Sequence, residues 1–143
     1  MTAPRIEVRE TDDLETCLKL RRVVFIEEQN VSEEEEFDGR DGEAIHLLAY
    51  VEGVAMGSAR LFVEEDIGKI GRVCVLKEAR GSGVGKALIE ASLAHFAARG
   101  DVRTAKLGAQ THALGFYAAL GFEAFGPEYM DAGIPHRDMK RAV

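Results

Sequence analysis

The segment Arg80-Gly81-Ser82-Gly83-Val84-Gly85-Lys86 combines what a polyanion needs: backbone that can be approached closely, and fixed positive charge at both ends. Glycines remove the Cβ that would hold a phosphate away from main-chain N–H groups, and they permit left-handed backbone. An apolar run precedes the segment and an amphipathic one follows it, so its N–H groups open a helix, where an anion is favoured. A turn that merely joins two elements is the plainer reading, and three glycines between two cations argue against it. Two phosphate-binding patterns fail. A P-loop needs glycine where Arg80 stands and a hydroxyl where Ala87 stands. A dinucleotide fingerprint would put its third glycine at Lys86 or Leu88.

The elements that must position this loop are readable from periodicity. Ile6-Glu7-Val8-Arg9 alternates apolar with polar as a strand does. Thr11 is expected as the N-cap of a helix whose apolar face is Leu14, Cys17, Leu18, Arg21, Val24 and Phe25, ending at Phe25 or Ile26. The acidic stretch that follows predicts a loop with one short helical turn. Ile45–Val51 and Val54–Val63 form a hairpin about Glu52-Gly53, and a turn at Glu65–Gly68 leads to a strand over Ile70–Leu76. After the glycine loop, Val84, Leu88 and Ala91 repeat at helical spacing until Arg99-Gly100, a helix stop. A strand at Thr104–Gly108, a helix near Ala113–Leu120, and strands near Phe122–Phe125 and Arg137–Arg141 complete the chain. The sum is one α+β (mixed α/β) domain over residues 1–143.

Arg80, Gly83 and Gly85 form an Arg-x-x-Gly-x-Gly pattern that resembles the pyrophosphate loop of the GNAT superfamily of N-acetyltransferases. Gly71-Arg72-Val73-Cys74-Val75 resembles the strand before that loop, and Phe116-Tyr117 with Gly121-Phe122 resembles a later helix-and-strand motif. Val24–Gln29, His46 and Gly133-Ile134-Pro135-His136 are similar to the ElaA-like branch. The resemblance implies a mostly antiparallel twisted sheet of six to seven strands, flanked by about four helices and splayed at the cofactor site. It implies acetyl-CoA (coenzyme A) as cosubstrate, and direct attack by an amine. Loop amides of Ser82 to Lys86, with Arg80, Gly81, Gly83, Val84 and Gly85, would hold the pyrophosphate. Main-chain groups of Val73, Cys74 and Val75 would pair with the pantetheine arm, and Phe116 and Tyr117 would border it. Tyr117 would protonate the leaving thiolate. Glu28 and His136 are candidates for the base, and Glu27, Glu28, His46 and His136 for contacts with the acceptor, a small-molecule or protein amine. A non-catalytic acyl-CoA-binding domain is the alternative, and a homodimer is common in such folds.

Charge and composition exclude other classes. Between Glu27 and Glu43 nine acidic residues stand against Arg40 alone, so the net charge of −7 is concentrated there and nothing resembles a basic nucleic-acid face. That stretch reads either as a solvated loop or as a rim that steers in a cationic amine. No apolar run is long enough to span a membrane, and Met1–Arg5 is too short and polar for a secretion signal, so a cytoplasmic protein is expected. Cys17 and Cys74 lack the spacing of a disulfide framework or metal site, and no metal is expected. A nucleophilic Cys74 is weighed against a small apolar strand residue, which free cysteines more often are. His112 is expected at a helix start, and His95 on an exposed or half-exposed helix face.

Overall fold

The computed structural model describes residues 4–143; Met1, Thr2 and Ala3, part of the N-terminal stretch discussed above, lie outside the described residues. Seven strands form one sheet: β1 (Ile6–Thr11), β2 (Ile45–Val51), β3 (Val54–Glu64), β4 (Ile67–Val75), β5 (Thr104–Gln110), β6 (Glu123–Asp131) and β7 (Ile134–Ala142). Their spatial order is β1-β2-β3-β4-β5-β7-β6, and among the described residues β4–β5 is the single parallel pair. Helix α1 (Leu14–Arg21) packs on one face and α3 (Val84–Arg99) on the other. Strand β2 shows why: Leu47 and Ala49 join the α3 core while Leu48 joins the α1 core, so a continuous apolar run covers two faces. The remaining helices are the one-turn α2 (Glu33–Glu36) and α4 (Leu114–Ala119).

Several boundaries differ from expectation. Asp13, not Thr11, caps α1, its carboxylate accepting from the Thr16 N–H at 3.2 Å and the Thr16 hydroxyl at 2.6 Å. Thr11 ends β1, and its hydroxyl accepts from Asp13 N–H at 3.0 Å. The helix does not stop at Phe25 or Ile26 but continues as a π-helical stretch over Arg22–Glu28, a widened geometry that often marks functional sites. The second hairpin turns on Glu65 and Asp66 alone, so Ile67 and Gly68 belong to β4. Gly68 is there because of Phe96: a Cβ at residue 68 would sit 2.6–2.7 Å from the ring.

Two irregularities shape the middle of the sheet. β4 pairs with β5 only from Ile67↔Thr104 to Ile70↔Leu107, and beyond that the strands part. In the parting half, β4 carries a bulge. Ser58 faces Cys74 and Arg60 faces Gly71, so Arg72 and Val73 together span one position of β3. Arg72 takes a left-handed φ of 49° there, which a side-chain-bearing residue holds only when its surroundings fix it.

Candidate active site

The gap between the parted strands is a cleft of about 560 Å³. Gly71–Val75 line one wall, Leu107, Gly108 and Gln110 of β5 another, and the π-helical stretch and the β6–β7 hairpin close the ends. Leu76 N–H donates to Met56 O at 2.8 Å, so the alternating Val73 and Val75 turn their main-chain groups away from β3 and toward the gap. A ligand strand could pair there. Cys74 alternates the other way. It is buried, its Sγ lies 3.3 Å from the Ser58 hydroxyl, and burial pushes its thiol pKa up, so it is a packed apolar residue and no nucleophile.

The glycine loop lies just beyond the Arg80 end of this cleft. Gly81 and Gly83 adopt left-handed φ of 83° and 95°, and Gly83 caps the 16-residue helix α3. The main-chain N–H groups of Gly83 to Lys86 open that helix without an intrahelical acceptor, which is the anion-binding geometry expected. Ser82 departs from expectation: its N–H and its hydroxyl both donate to Ala79 O, so it serves the preceding turn. Val84 contributes main chain only, since its side chain is buried in the core. Gly85 answers to Phe116: a Cβ there would lie 3.3 Å from the phenyl ring, which packs on the first turn of α3. Lys86 is exposed and lies 3.9 Å from Glu90.

Tyr117 comes from α4 and reaches the cleft, its ring set edge-on to Phe116 at 5.0 Å and Phe122 at 6.0 Å. Burial pushes its phenol pKa up to about 12, so it keeps its proton at neutral pH. A family model described as an acetyltransferase (GNAT) domain matches residues 16–143. The chain belongs to the GNAT family of acetyltransferases. Escherichia coli ElaA is 34% identical over 91% of this chain and 88% of its own, and its crystal structure superposes with a TM-score of 0.83. An uncharacterized N-acetyltransferase of Bacillus subtilis, YjcF, is 37% identical over 91% of this chain and 93% of its own. The structure of an acyl-CoA N-acyltransferase from Pseudomonas aeruginosa matches with a TM-score of 0.81 at 31% identity, covering 98% of this chain and 100% of that one.

In this GNAT acetyltransferase the acceptor candidates separate. His136 lines the cleft, and its Nδ1–H donates to Ile134 O at 2.7 Å; since a carbonyl only accepts, Nε2 is the nitrogen that accepts in the neutral ring. Glu28 also lines the cleft, but the Arg80 guanidinium beside it holds its carboxyl below the usual range, which weakens it as a base. Two expectations fail. His46 is buried away from the cleft, its Nε2 donating to Asp41 O at 2.8 Å, and Glu27 is exposed outside the lining.

The acidic stretch is neither a solvated loop nor a bare rim. Arg21, Glu36, Arg72, Asp38, Arg60 and Asp41 close a ring of alternating charge. Asp41 takes Arg21 at 2.6 Å and Arg60 at 3.2 Å, Asp38 takes Arg60 at 2.7 Å, and Arg21 pairs with Glu36. Arg72 ties the β4 bulge to this ring, donating to the carbonyls of Glu35 and Glu36 at 3.3 and 3.1 Å. The ring therefore fixes one wall of the cleft.

Tyr129, Gln110 and His112 are among the cleft residues that the sequence reading did not place in the site. Tyr129 donates to Asp138 at 2.7 Å and stacks on His136, with centroids 5.9 Å apart and planes at 21°. Gln110 donates to Gln29 at 3.0 Å and accepts from His112 at 2.7 Å, a chain linking the end of β5 to the end of the π-helical stretch. His112 lies in a short helical turn as expected, yet it also lines the cleft. Among the described residues no cluster of three or more His, Cys, Asp or Glu could hold a metal, and no helix is long and apolar enough to cross a membrane.

Proposed function

We propose that this protein acetylates a primary amine with acetyl-CoA, by direct attack within a ternary complex. The observation that carries the proposal is the parting of β4 and β5, with the Gly83–Lys86 amides beyond one end and Tyr117 among the residues that line the gap. Those amides suit a pyrophosphate, and the turned-out main chain of Val73 and Val75 suits the amide-bearing pantetheine arm. The Pseudomonas aeruginosa protein of the same fold carries acyl-CoA in its name, which supports a coenzyme A thioester as donor here.

In the reaction the amine nitrogen forms its bond to the thioester carbon while the C–S bond breaks. The amine must shed a proton, and His136 Nε2 and His112 Nδ1 are the imidazole nitrogens of cleft-lining residues left free to take it; His136, stacked on Tyr129, is the one assigned here. Tyr117, which lines the cleft, would meet the departing sulfur. With a phenol near 12 and a thiol near 8.5, full transfer to a solvated thiolate is uphill by about 5 kcal/mol. Tyr117 therefore acts mainly as a hydrogen-bond donor to the developing thiolate, and would complete the transfer where a sulfur shielded from water becomes more basic. Glu28, Glu35 and Asp131 line the cleft and favour an amine that arrives as a small cation.

Thiol release from acetyl-CoA against a panel of amines, for wild type and Tyr117→Phe, tests the proposal. Turnover that falls roughly 10- to 1,000-fold in the variant, with coenzyme A affinity retained, is the expected result. Turnover unchanged in the variant would keep the transferase and remove Tyr117 from the chemistry. No turnover on any amine would leave only a coenzyme A-binding domain.

A further inference from the structure

Arg80 and Glu28 form a two-pronged ion pair between the cofactor loop and the end of the π-helical stretch: Nη1 donates to Oε2 at 2.5 Å and Nη2 to Oε1 at 2.7 Å. The Nε–H of Arg80 donates to Val75 O at 3.0 Å. The guanidinium thus lies along the cleft wall with Glu28 and Val75, whereas none of the residues from Gly81 to Lys86 lines the cleft. Both of its partners are groups the proposed reaction needs for something else. The Val75 main chain faces the path of the pantetheine arm, and Glu28 faces the acceptor. The carboxylate also cancels the charge with which Arg80 would attract a pyrophosphate.

We propose that Glu28 competes with the cofactor for Arg80: coenzyme A binds by exchanging this carboxylate for its own pyrophosphate, which turns a bare carboxylate toward the acceptor ammonium. The inference rests on the coenzyme A reading above. It makes Glu28 a positioning residue that acts through Arg80, and it couples the two substrates. By linkage, a cation that satisfies Glu28 raises the affinity for coenzyme A by the same factor that coenzyme A raises the affinity for the cation. The same contacts also fit an opposite role, since two of the five guanidinium N–H groups are left over. Glu28 would then hold Arg80 in place for the phosphate, and its removal would weaken binding. The two roles differ in sign.

Calorimetric titration with coenzyme A, at low salt, on wild type, Glu28→Gln, Arg80→Ala and the double variant separates them, with folding checked by circular dichroism. Competition predicts that Glu28→Gln binds coenzyme A roughly two- to five-fold tighter, the range expected for a half-exposed ion pair. That gain disappears in the Arg80→Ala background, because the partner is already gone. It also shrinks as salt rises, since screening loosens the pair in the wild type. Weaker binding by Glu28→Gln overturns the proposal, and so does an equal gain with Arg80 absent, which would be plain repulsion between a carboxylate and a polyanion. A wild-type protein that does not bind coenzyme A at all would instead overturn the donor assignment itself.

Discussion

His136 shows how one main-chain contact can set the chemistry of a side chain. Its Nδ1–H is committed to Ile134 O, and its ring is stacked on Tyr129, which is itself held by Asp138. The residue opposite must be small for this to happen: a Cβ on Gly108 would lie 2.5 Å from the Tyr129 oxygen. The imidazole is thus oriented with Nε2 available. Replacing it by glutamine keeps polar bulk and removes the base. Under the proposed mechanism, kcat for His136→Gln falls about 100- to 10,000-fold while coenzyme A binding is unchanged. Steady-state kinetics beside calorimetry checks this, and an unchanged kcat would hand the proton to water. His136 was legible in the sequence as a candidate, but its partners were not. The strand expected near Phe122–Phe125 stops short of Tyr129. In the structure Gly126, at φ 73°, and Pro127 are absorbed by a register shift between Phe125 and Tyr129 on the edge strand, where proline is tolerated.

At the scale of elements, order and type were readable wherever local pattern decides them. Ile45–Val51 is found with the expected bounds, and α3 ends at Arg99 with Gly100 left-handed at φ 80°. Pattern failed where a distant residue decides. Gly68 looks like a turn residue beside Glu65 and Asp66, and only Phe96, 28 positions later, makes it a strand residue with no room for a side chain. Gly68→Ala accordingly overpacks the core between β4 and α3. A cost of about 1–3 kcal/mol is expected, visible as a shift of roughly 3–10 °C in Tm. Thermal unfolding followed by circular dichroism tests it. A Tm unchanged within a degree would mean that the Phe96 ring moves aside freely. The same reasoning applies to the parted strands. Their gap follows from which residues pair across the sheet, and periodicity along one strand carries no information about that.

The whole molecule corrects the charge map most. Read along the chain, Glu27–Glu43 carries nine acidic residues against one arginine, yet six of the nine meet arginines in space: Glu28, Glu33, Glu36, Asp38, Asp41 and Glu43. Arg21, Arg22, Arg60, Arg72 and Arg80 all come from outside the stretch, which is why one-dimensional counting saw a bare anion. The closed ring of three arginines and three carboxylates is neutral, so its stability depends on the carboxylates staying ionised. Arg60 holds the Asp38 carboxyl well below its usual range. Burial pushes the Asp41 carboxyl up, but Arg21 and Arg60 outweigh it and the net shift is downward. Both folded pKa values lie below the unfolded value of about 3.9, so their contribution is complete above that pH and is lost as pH falls through the folded values. Each such carboxylate steepens the acid limb by up to about 1.4 kcal/mol per pH unit. Urea unfolding between pH 7 and pH 2 should therefore show stability falling below about pH 4. Asp38→Asn should be less stable at pH 7 and shallower on the acid limb, because it removes one group that must take up a proton. If the variant instead loses stability by the same amount at every pH, Asp38 contributes by packing alone, and the ring is not what holds the cleft wall against acid.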